Sequence, residues 1–293
     1  MIDDADTFEA HRPALLALAY RMLGEMAQSE DMVQEAWVRW HHRQSDVAVP
    51  KAFLLTTVTR LCLDELGSAR ARREESRSDR LPEPVQLDES GIGRVETIDQ
   101  LSMAFLVLLQ RLTPAERAVF LLHEVFDMRH DEIARRLGKN DTACRQLLSR
   151  ARKHVAAERR VFQTSHEEHR RLLMAFVSAA NGGEQEPLLE LLAEDAVLIA
   201  DAGPGGTRYG RIRNVGRPVL GRAKIAALMQ AAARQRLPPA EFQERVLNGE
   251  PAAVGFRDGS AVVAVLVSIA EGKIRHVFLQ ADPERLRHLG PLG

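Results

Sequence analysis

Five polar side chains, Arg145, Gln146, Ser149, Arg152 and Lys153, recur at spacings that set them on one side of a helix. The other side carries Cys144, Leu148, Ala151 and Val155. A shorter helix before it has Ile133, Ala134 and Leu137 as its inner face, and Gly138 between the two suits a left-handed turn residue. Small Ala134 lets the second helix cross closely, which makes the segment a helix-turn-helix. The chemistry open to such a face is DNA recognition. Arg and Gln near the start of the second helix can reach base edges, and the later Arg and Lys meet phosphates. Helix, glycine and helix also occur in plain bundles, so the pattern alone leaves that reading open.

Other chemistry-bearing residues point less far. His41 with His42, His123 with His130, and His166 with His169 are imidazole pairs with no third ligand at metal spacing, so no metal and no cofactor is expected. Arg208, Arg211, Arg213 and Arg217 sit among glycines, but no Lys-Ser/Thr follows at nucleotide-loop spacing. Cys62 and Cys144 fall on apolar helix faces and read as buried structural thiols. Trp37 and Trp40 share a helical stripe with Val33 and Ala36, which predicts core rather than base-stacking platforms.

The elements that must position these residues form three groups. Residues 7–75 read as three helices, with Gly24 as a stop, Ser29 as a start and Pro50 opening the third. Residues 76–95 hold Leu81-Pro82-Glu83-Pro84, where two prolines forbid a regular helix, and form a linker. Helices resume over 96–162, one of them starting at Thr113-Pro114-Ala115-Glu116, a capping box with proline in the first turn. From 166 the pattern becomes two helices (166–181 and 185–193), a strand at 197–200, a glycine-rich loop and a helix at 221–235. Three strand-like runs at 252–257, 261–269 and 273–280 close the chain, joined by Asp258-Gly259 and Glu271-Gly272. That order predicts an α+β domain over 166–293.

Composition agrees. The chain has 293 residues, room for two or three domains, and a net charge of −1 that excludes a basic whole-protein footprint. The positive charge is concentrated: residues 111–160 carry 12 basic against 7 acidic side chains. Two cysteines exclude a disulfide scaffold, and no apolar run reaches membrane-spanning length. The acidic N-terminus is unlike a signal peptide, so the expected compartment is the cytoplasm.

Longer motifs carry a family resemblance. Leu112-Thr-Pro-Ala-Glu-Arg-Ala-Val-Phe-Leu-Leu-His-Glu-Val-Phe126, followed by the helix-turn-helix, resembles region 4 of extracytoplasmic-function sigma factors. Ala19-Tyr-Arg-Met-Leu-Gly24, Glu30-Asp-Met-Val-Gln-Glu-Ala-Trp37 and Lys51-Ala-Phe-Leu-Leu-Thr-Thr-Val-Thr-Arg-Leu-Cys-Leu-Asp64 resemble region 2 of the same family. The linker prolines and Asp282-Pro283-Glu284-Arg285-Leu286 resemble signatures of the subgroup with a C-terminal SnoaL-like domain. The resemblance implies two all-α sigma domains, a region 2 helical bundle and a region 4 helix-turn-helix, followed by an α+β SnoaL-like cone. One departure is Asp201-Ala-Gly-Pro-Gly-Gly206, a loose version of the subgroup's loop.

The resemblance also implies partners and roles. Core RNA polymerase would dock on Asp31, Gln34 and Glu35. Lys51, Arg60, Arg70, Arg72 and Arg73 would hold the melted strand at the −10 promoter element, and the helix carrying Arg145 would read the −35 element. An intramolecular regulatory contact between the C-terminal domain and the sigma module is expected, with Leu81, Pro82, Glu83 and Pro84 as a docking segment and Asp282, Pro283, Glu284, Arg285 and Leu286 as a second contact. SnoaL-like cones also host isomerases and cyclases that use a cavity carboxylate and a histidine. Asp201 and His276 are the matching pair for a small-molecule or catalytic alternative, with the ligand unknown.

Overall fold

Capping chemistry sets the helix boundaries in the first half of the chain. The structure, a computed structural model, describes residues 4–42, 47–68, 80–87, 92, 101–156, 164–203, 217–234 and 240–290. Seven helices of the described residues precede position 160: α1 (Asp4–Leu23), α2 (Met26–His41), α3 (Pro50–Gly67), α4 (Met103–Gln110), α5 (Pro114–Glu124), α6 (His130–Leu137) and α7 (Asp141–Ala156). The Thr113 hydroxyl accepts from the Glu116 N–H at 3.4 Å, and the Glu116 carboxylate accepts from the Thr113 N–H at 3.1 Å, closing the expected capping box at α5. Gly138 ends α6 at φ 65° and ψ 32°, a conformation in which a Cβ is strained, and the chain turns there into α7.

Chain contacts divide the molecule into two units. One is drawn from Met1–Arg77, Leu87–Gln100 and Phe105–Arg159, the other from Ser78–Gln86, Leu101–Ala104 and Arg160–Gly293. The linker expected over 76–95 is thus divided, with its proline segment grouped in the second unit.

In the first unit α1, α2 and α3 bury Leu15, Leu18, Tyr20, Val33, Ala36, Trp40, Leu54, Val58 and Cys62 against one another. Trp40 is core, and its indole N–H donates to the Asp4 carbonyl at 2.9 Å. Trp37 differs from the core expectation: it is only half-buried, edge-on to Phe8 at 4.9 Å, and closes the rim of the bundle. Helices α5, α6 and α7 bury Leu121, Ile133, Ala134, Cys144, Leu148 and Ala151. Both thiols are free and buried, and burial raises their pKa above the ordinary value, so neither is poised as a nucleophile. Arg117, buried on α5, donates to the carbonyls of Leu109 at 2.9 Å, Gln110 at 3.3 Å and Leu112 at 3.4 Å, and also to Met22. One guanidinium thereby satisfies carbonyls at the ends of α1 and α4, where helices leave acceptors unpaired and carry partial negative charge.

The second unit is α+β. It holds α8 (His166–Gly182), α9 (Gln185–Leu191), β1 (Leu192–Asp201), β2 (Val219–Leu220), α10 (Arg222–Ala233), β3 (Glu241–Leu247), β4 (Glu250–Arg257), β5 (Ser260–Ala270), β6 (Lys273–Gln280) and the short α11 (Pro283–Leu286). The sheet order is β2-β1-β6-β5-β4-β3, with β1 and β6 parallel and every other pair antiparallel. The three-strand meander expected from sequence gains β3 at one edge. Its charged residues Glu241, Glu244 and Arg245 mask the apolar alternation, as suits an edge strand. The turn into β4 is Asn248-Gly249 with φ of 55° and 78°, a left-handed pair that joins strands tightly.

Val265, Val267 and Ile269 face the core under α8, α9 and α10, with Leu172, Leu173, Phe176, Leu188, Ile225 and Ala226 packed on them. Alternation sends Ala264, Leu266 and Ser268 to the other face, beside Gln280, Phe278 and His276 of β6. That second face is also buried.

Candidate functional site

The described residues place two candidate sites, one in each unit. In the first unit, α7 presents Arg145, Gln146, Ser149, Arg152 and Lys153 to solvent, as expected, while Cys144, Leu148, Ala151 and Val155 hold it against α5 and α6. The five differ in their company. Arg145 pairs with Asp141 one turn earlier on the same helix. Arg152 pairs across helices with Glu124 at 2.6 Å. Gln146, Ser149 and Lys153 have no protein partner among the described residues. His130, at the start of α6, lies 4.4 Å ring to ring from His123, and its pKa is lowered by burial first and then by the neighbouring His123 and Arg145.

Asp31, Gln34 and Glu35 are exposed together on α2, and Glu35 pairs with Arg39 at 3.0 Å. Lys51 and Arg60 are exposed on α3 but stand nine residues apart, which turns them to opposite sides of the helix. The structure does not gather them on one track. Arg60 donates instead to the Arg136 carbonyl at the end of α6. Arg70, Arg72 and Arg73 lie outside the described residues, as do Arg208, Arg211 and Arg213.

In the second unit the linker prolines sit in a polar clasp. The Leu81 N–H donates to Asp201 Oδ2 at 3.0 Å. The Leu81 carbonyl accepts from Gln280 Nε2 at 3.4 Å and from the guanidinium of Arg285. Arg80 pairs with Asp282 and lies 3.6 Å from Asp201. Further along, Val85 and Asn248 exchange two hydrogen bonds, Val85 N–H to Asn248 Oδ1 at 3.3 Å and Asn248 N–H to Val85 O at 2.8 Å. The His288 ring contacts the Pro84 carbonyl at 2.8 Å and the Glu83 carboxylate at 3.2 Å. Leu81, Val85, Leu286 and Leu289 are each no more than 3% exposed, so apolar burial accompanies the polar contacts. Asp282 caps α11 by accepting from the Glu284 N–H at 3.1 Å, and Pro283 occupies its first turn.

Asp201 and His276 are both buried on the second face of the sheet but are not brought together. Asp201 pairs in register with Gln280 and His276 with Val197, a separation of four residues, or about 13 Å along the strand. Asp201 is occupied by the Leu81 and Gly203 amides, and His276 by the Ser268 hydroxyl at 2.8 Å. Sequence reasoning missed Arg80, Gln280, Asn248 and His288. The available signals were a polar residue closing an apolar strand at Gln280 and the Asn-Gly turn at 248. Among the described residues no group of three or more His, Cys, Asp or Glu could hold a metal ion, and no helix is long and apolar enough to cross a membrane.

Comparison with known proteins accounts for both halves of the chain. Residues 7–72 match Sigma-70 region 2, and residues 102–155 match Sigma-70, region 4. The chain is 33% identical over 297 aligned residues to "ECF RNA polymerase sigma factor SigJ" of Mycobacterium tuberculosis, covering 96% of this chain and 93% of that protein. It is 32% identical over 289 residues to "Probable ECF RNA polymerase sigma factor SigI" of the same species, covering 95% and 93%. The crystal structure of Mycobacterium tuberculosis SigJ aligns with a TM-score of 0.73 at 30% identity, over 97% of this chain and 98% of that one.

Proposed function

This chain belongs to the ECF RNA polymerase sigma factors, and we propose that its SnoaL-like domain regulates the sigma regions by holding the linker between them. As a sigma factor it binds core RNA polymerase and recognises promoters through regions 2 and 4. Its relatives are sigma factors, which are not enzymes.

The residue roles proposed within that function follow from charge and exposure. Asp31, Gln34 and Glu35 form a carboxylate-bearing docking face for a basic surface of core polymerase. Arg145, Gln146 and Ser149 read base edges of the −35 element, while Arg152 and Lys153 fix the helix on the phosphates. Lys51 and Arg60, with Arg70, Arg72 and Arg73, hold phosphates at the −10 element. The domains are taken as 1–75 for region 2, 96–162 for region 4 and 166–293 for the regulatory domain.

The observation that supports regulation is the double anchoring of Leu81. Its N–H is held by Asp201 and its carbonyl by Gln280 and Arg285, residues from three separate elements. A linker between regions 2 and 4 sets how far apart they can read DNA, so a domain that grips it controls that span. Pro82 and Pro84 restrict the free linker and lower the entropy lost on docking. The clasp is intramolecular and acts at high effective concentration, so modest contacts suffice to bias a held–released equilibrium. The alternative of a catalytic or ligand-binding cavity built on Asp201 gains no support from an aspartate already filled by linker and strand donors.

Transcription titrations with core polymerase on one promoter test this reading, using the full chain, a chain ended after Ala281 and a chain ended after Ser165. Loss of the tail changes output strongly, and loss of the whole domain keeps promoter recognition with altered output. Three superimposable curves would mean that the domain does not regulate.

A further inference from the structure

Two of the three arginines of the recognition helix, Arg145 and Arg152, are held by carboxylates that the sigma-factor reading leaves without a task; the third, Arg150, pairs at 2.8 Å with Glu116 of the α5 capping box. Asp141 is the first residue of α7 and Arg145 stands one turn on, so the pair lies at the helix end that would enter the groove. It is a surface pair, with side-chain exposures of 69% for Arg145 and 38% for Asp141, free to exchange partners with DNA. Glu124 closes α5 and holds Arg152 at 2.6 Å. A carboxylate at a helix C-terminus is disfavoured by the helix dipole, so its place there is not explained by the stability of α5. Lys153, beside Arg152, has no such partner among the described residues.

We infer that Asp141 is a specificity-determining residue, which holds Arg145 so that base edges are accepted and stray phosphates are rejected, and that Glu124 tempers the phosphate contact of Arg152. The inference rests on α7 being the reading helix. A guanidinium has five N–H donors in a fixed fork. It can keep one edge on a carboxylate while another meets the neutral O6 and N7 acceptors of guanine, and a carboxylate nearby can itself accept from a cytosine amino group. A phosphate brings a second negative charge beside the carboxylate, and that like-charge contact is unfavourable. The same pair that is compatible with a base edge therefore opposes a backbone contact. Asp141 and Glu124 also remove two positive charges from the surface, which reduces the sequence-independent part of the affinity.

The test uses the full chain bound to core polymerase, a duplex library randomised over the −35 element, and a duplex lacking the selected sequence. With the cap of α7 left in place, Asn140 accepting from the Ala143 N–H at 2.7 Å, Asp141→Asn keeps the size of the side chain and removes only the charge. It should raise affinity for the unselected duplex about three- to tenfold and steepen the salt dependence by up to about 0.9 in the log–log slope. It should also flatten the preference at one or two positions, whereas Glu124→Gln should raise affinity evenly across sequences by freeing Arg152 for the backbone. Wild-type slope, wild-type affinity for unselected DNA and an unchanged selected sequence would overturn the inference. Should Arg145→Ala lose base preference while Asp141→Asn behaves as wild type, the carboxylate role fails and the reading of α7 stands. If Arg145→Ala also changes nothing, both fail together.

Discussion

The Asp201 carboxylate takes the amide of Leu81 at 3.0 Å and the amide of Gly203 at 2.9 Å, and it lies only 4% exposed. Replacing it by alanine strips buried donors of their acceptor, at about 1–3 kcal/mol for each one left unpaired. Asp201→Ala should therefore lower the stability of the second unit in a denaturant titration and speed amide exchange across residues 80–87. Protection there equal to wild type would remove Asp201 from the clasp. A second residue sets a pH limit on the same unit. His169 is 7% exposed on α8, and burial first, then the neighbouring His166, lowers its pKa to about 4. The unfolded chain binds the proton near pH 6.5 and the folded one does not until about pH 4. Stability is thus full above pH 6.5 and falls, by a total on the order of 3 kcal/mol, as the pH drops through that window. Denaturant titrations of wild type and His169→Gln between pH 7 and pH 4 should diverge at the top of the range and converge at the bottom.

At the scale of elements, α7 carries the sharpest expectations. Arg145→Ala should cost about 1–3 kcal/mol on the selected promoter and relax preference at one or two bases. Lys153→Ala should weaken binding evenly across sequences and flatten the salt slope by about one charge. Footprints and salt titrations matching wild type for both would remove α7 from the reading surface. On α2, reversing Asp31 and Glu35 to lysine should weaken co-purification with core polymerase, and undiminished recovery would count against that face. The elements most legible in sequence are those whose ends are set by local chemistry. Thr113 with Glu116, Gly138, Asp258-Gly259 and Pro283 each specify a start or a turn without help from distant residues. β3 was hidden because an edge strand keeps its charges, and β2, at two residues, is too short to show a period. α9 was read two residues too long, since Leu192 and Ala193 continue an apolar run that the sheet takes over. The exposed side chains of α7 were legible because helical period alone decides which face is wet. The clasp was legible only in part: the two proline-containing segments stood out, but Gln280, Asn248 and His288 join them through pairings over 160 residues away, which no local pattern encodes.

The whole molecule must reconcile one geometry with another. Regions 2 and 4 share a unit in which Arg117 ties α5 to the end of α1 and Arg60 ties α3 to the end of α6. Elements near −10 and −35 lie about 25 base pairs, or about 85 Å, apart along DNA. A compact unit of about 140 residues has a radius of gyration of about 15 Å. On the proposed roles, reading both elements at once calls for this unit to open and for Arg60 to leave the Arg136 carbonyl. Dyes placed at Gln34 and Lys153, both exposed, should lose energy transfer when the full chain joins core polymerase and promoter DNA; unchanged transfer would mean that the sigma regions read DNA without separating. In the proposed reading the linker sets how far they separate, and its Leu81 is held by Asp201, Gln280 and Arg285. The most direct measurement of that claim is run-off transcription with core polymerase at one promoter, comparing wild type with Arg285→Ala, whose guanidinium reaches the Leu81 carbonyl. The account predicts a several-fold change in the output at equal sigma concentration, from a protein that remains folded by its melting curve. Superimposable titration curves would contradict it.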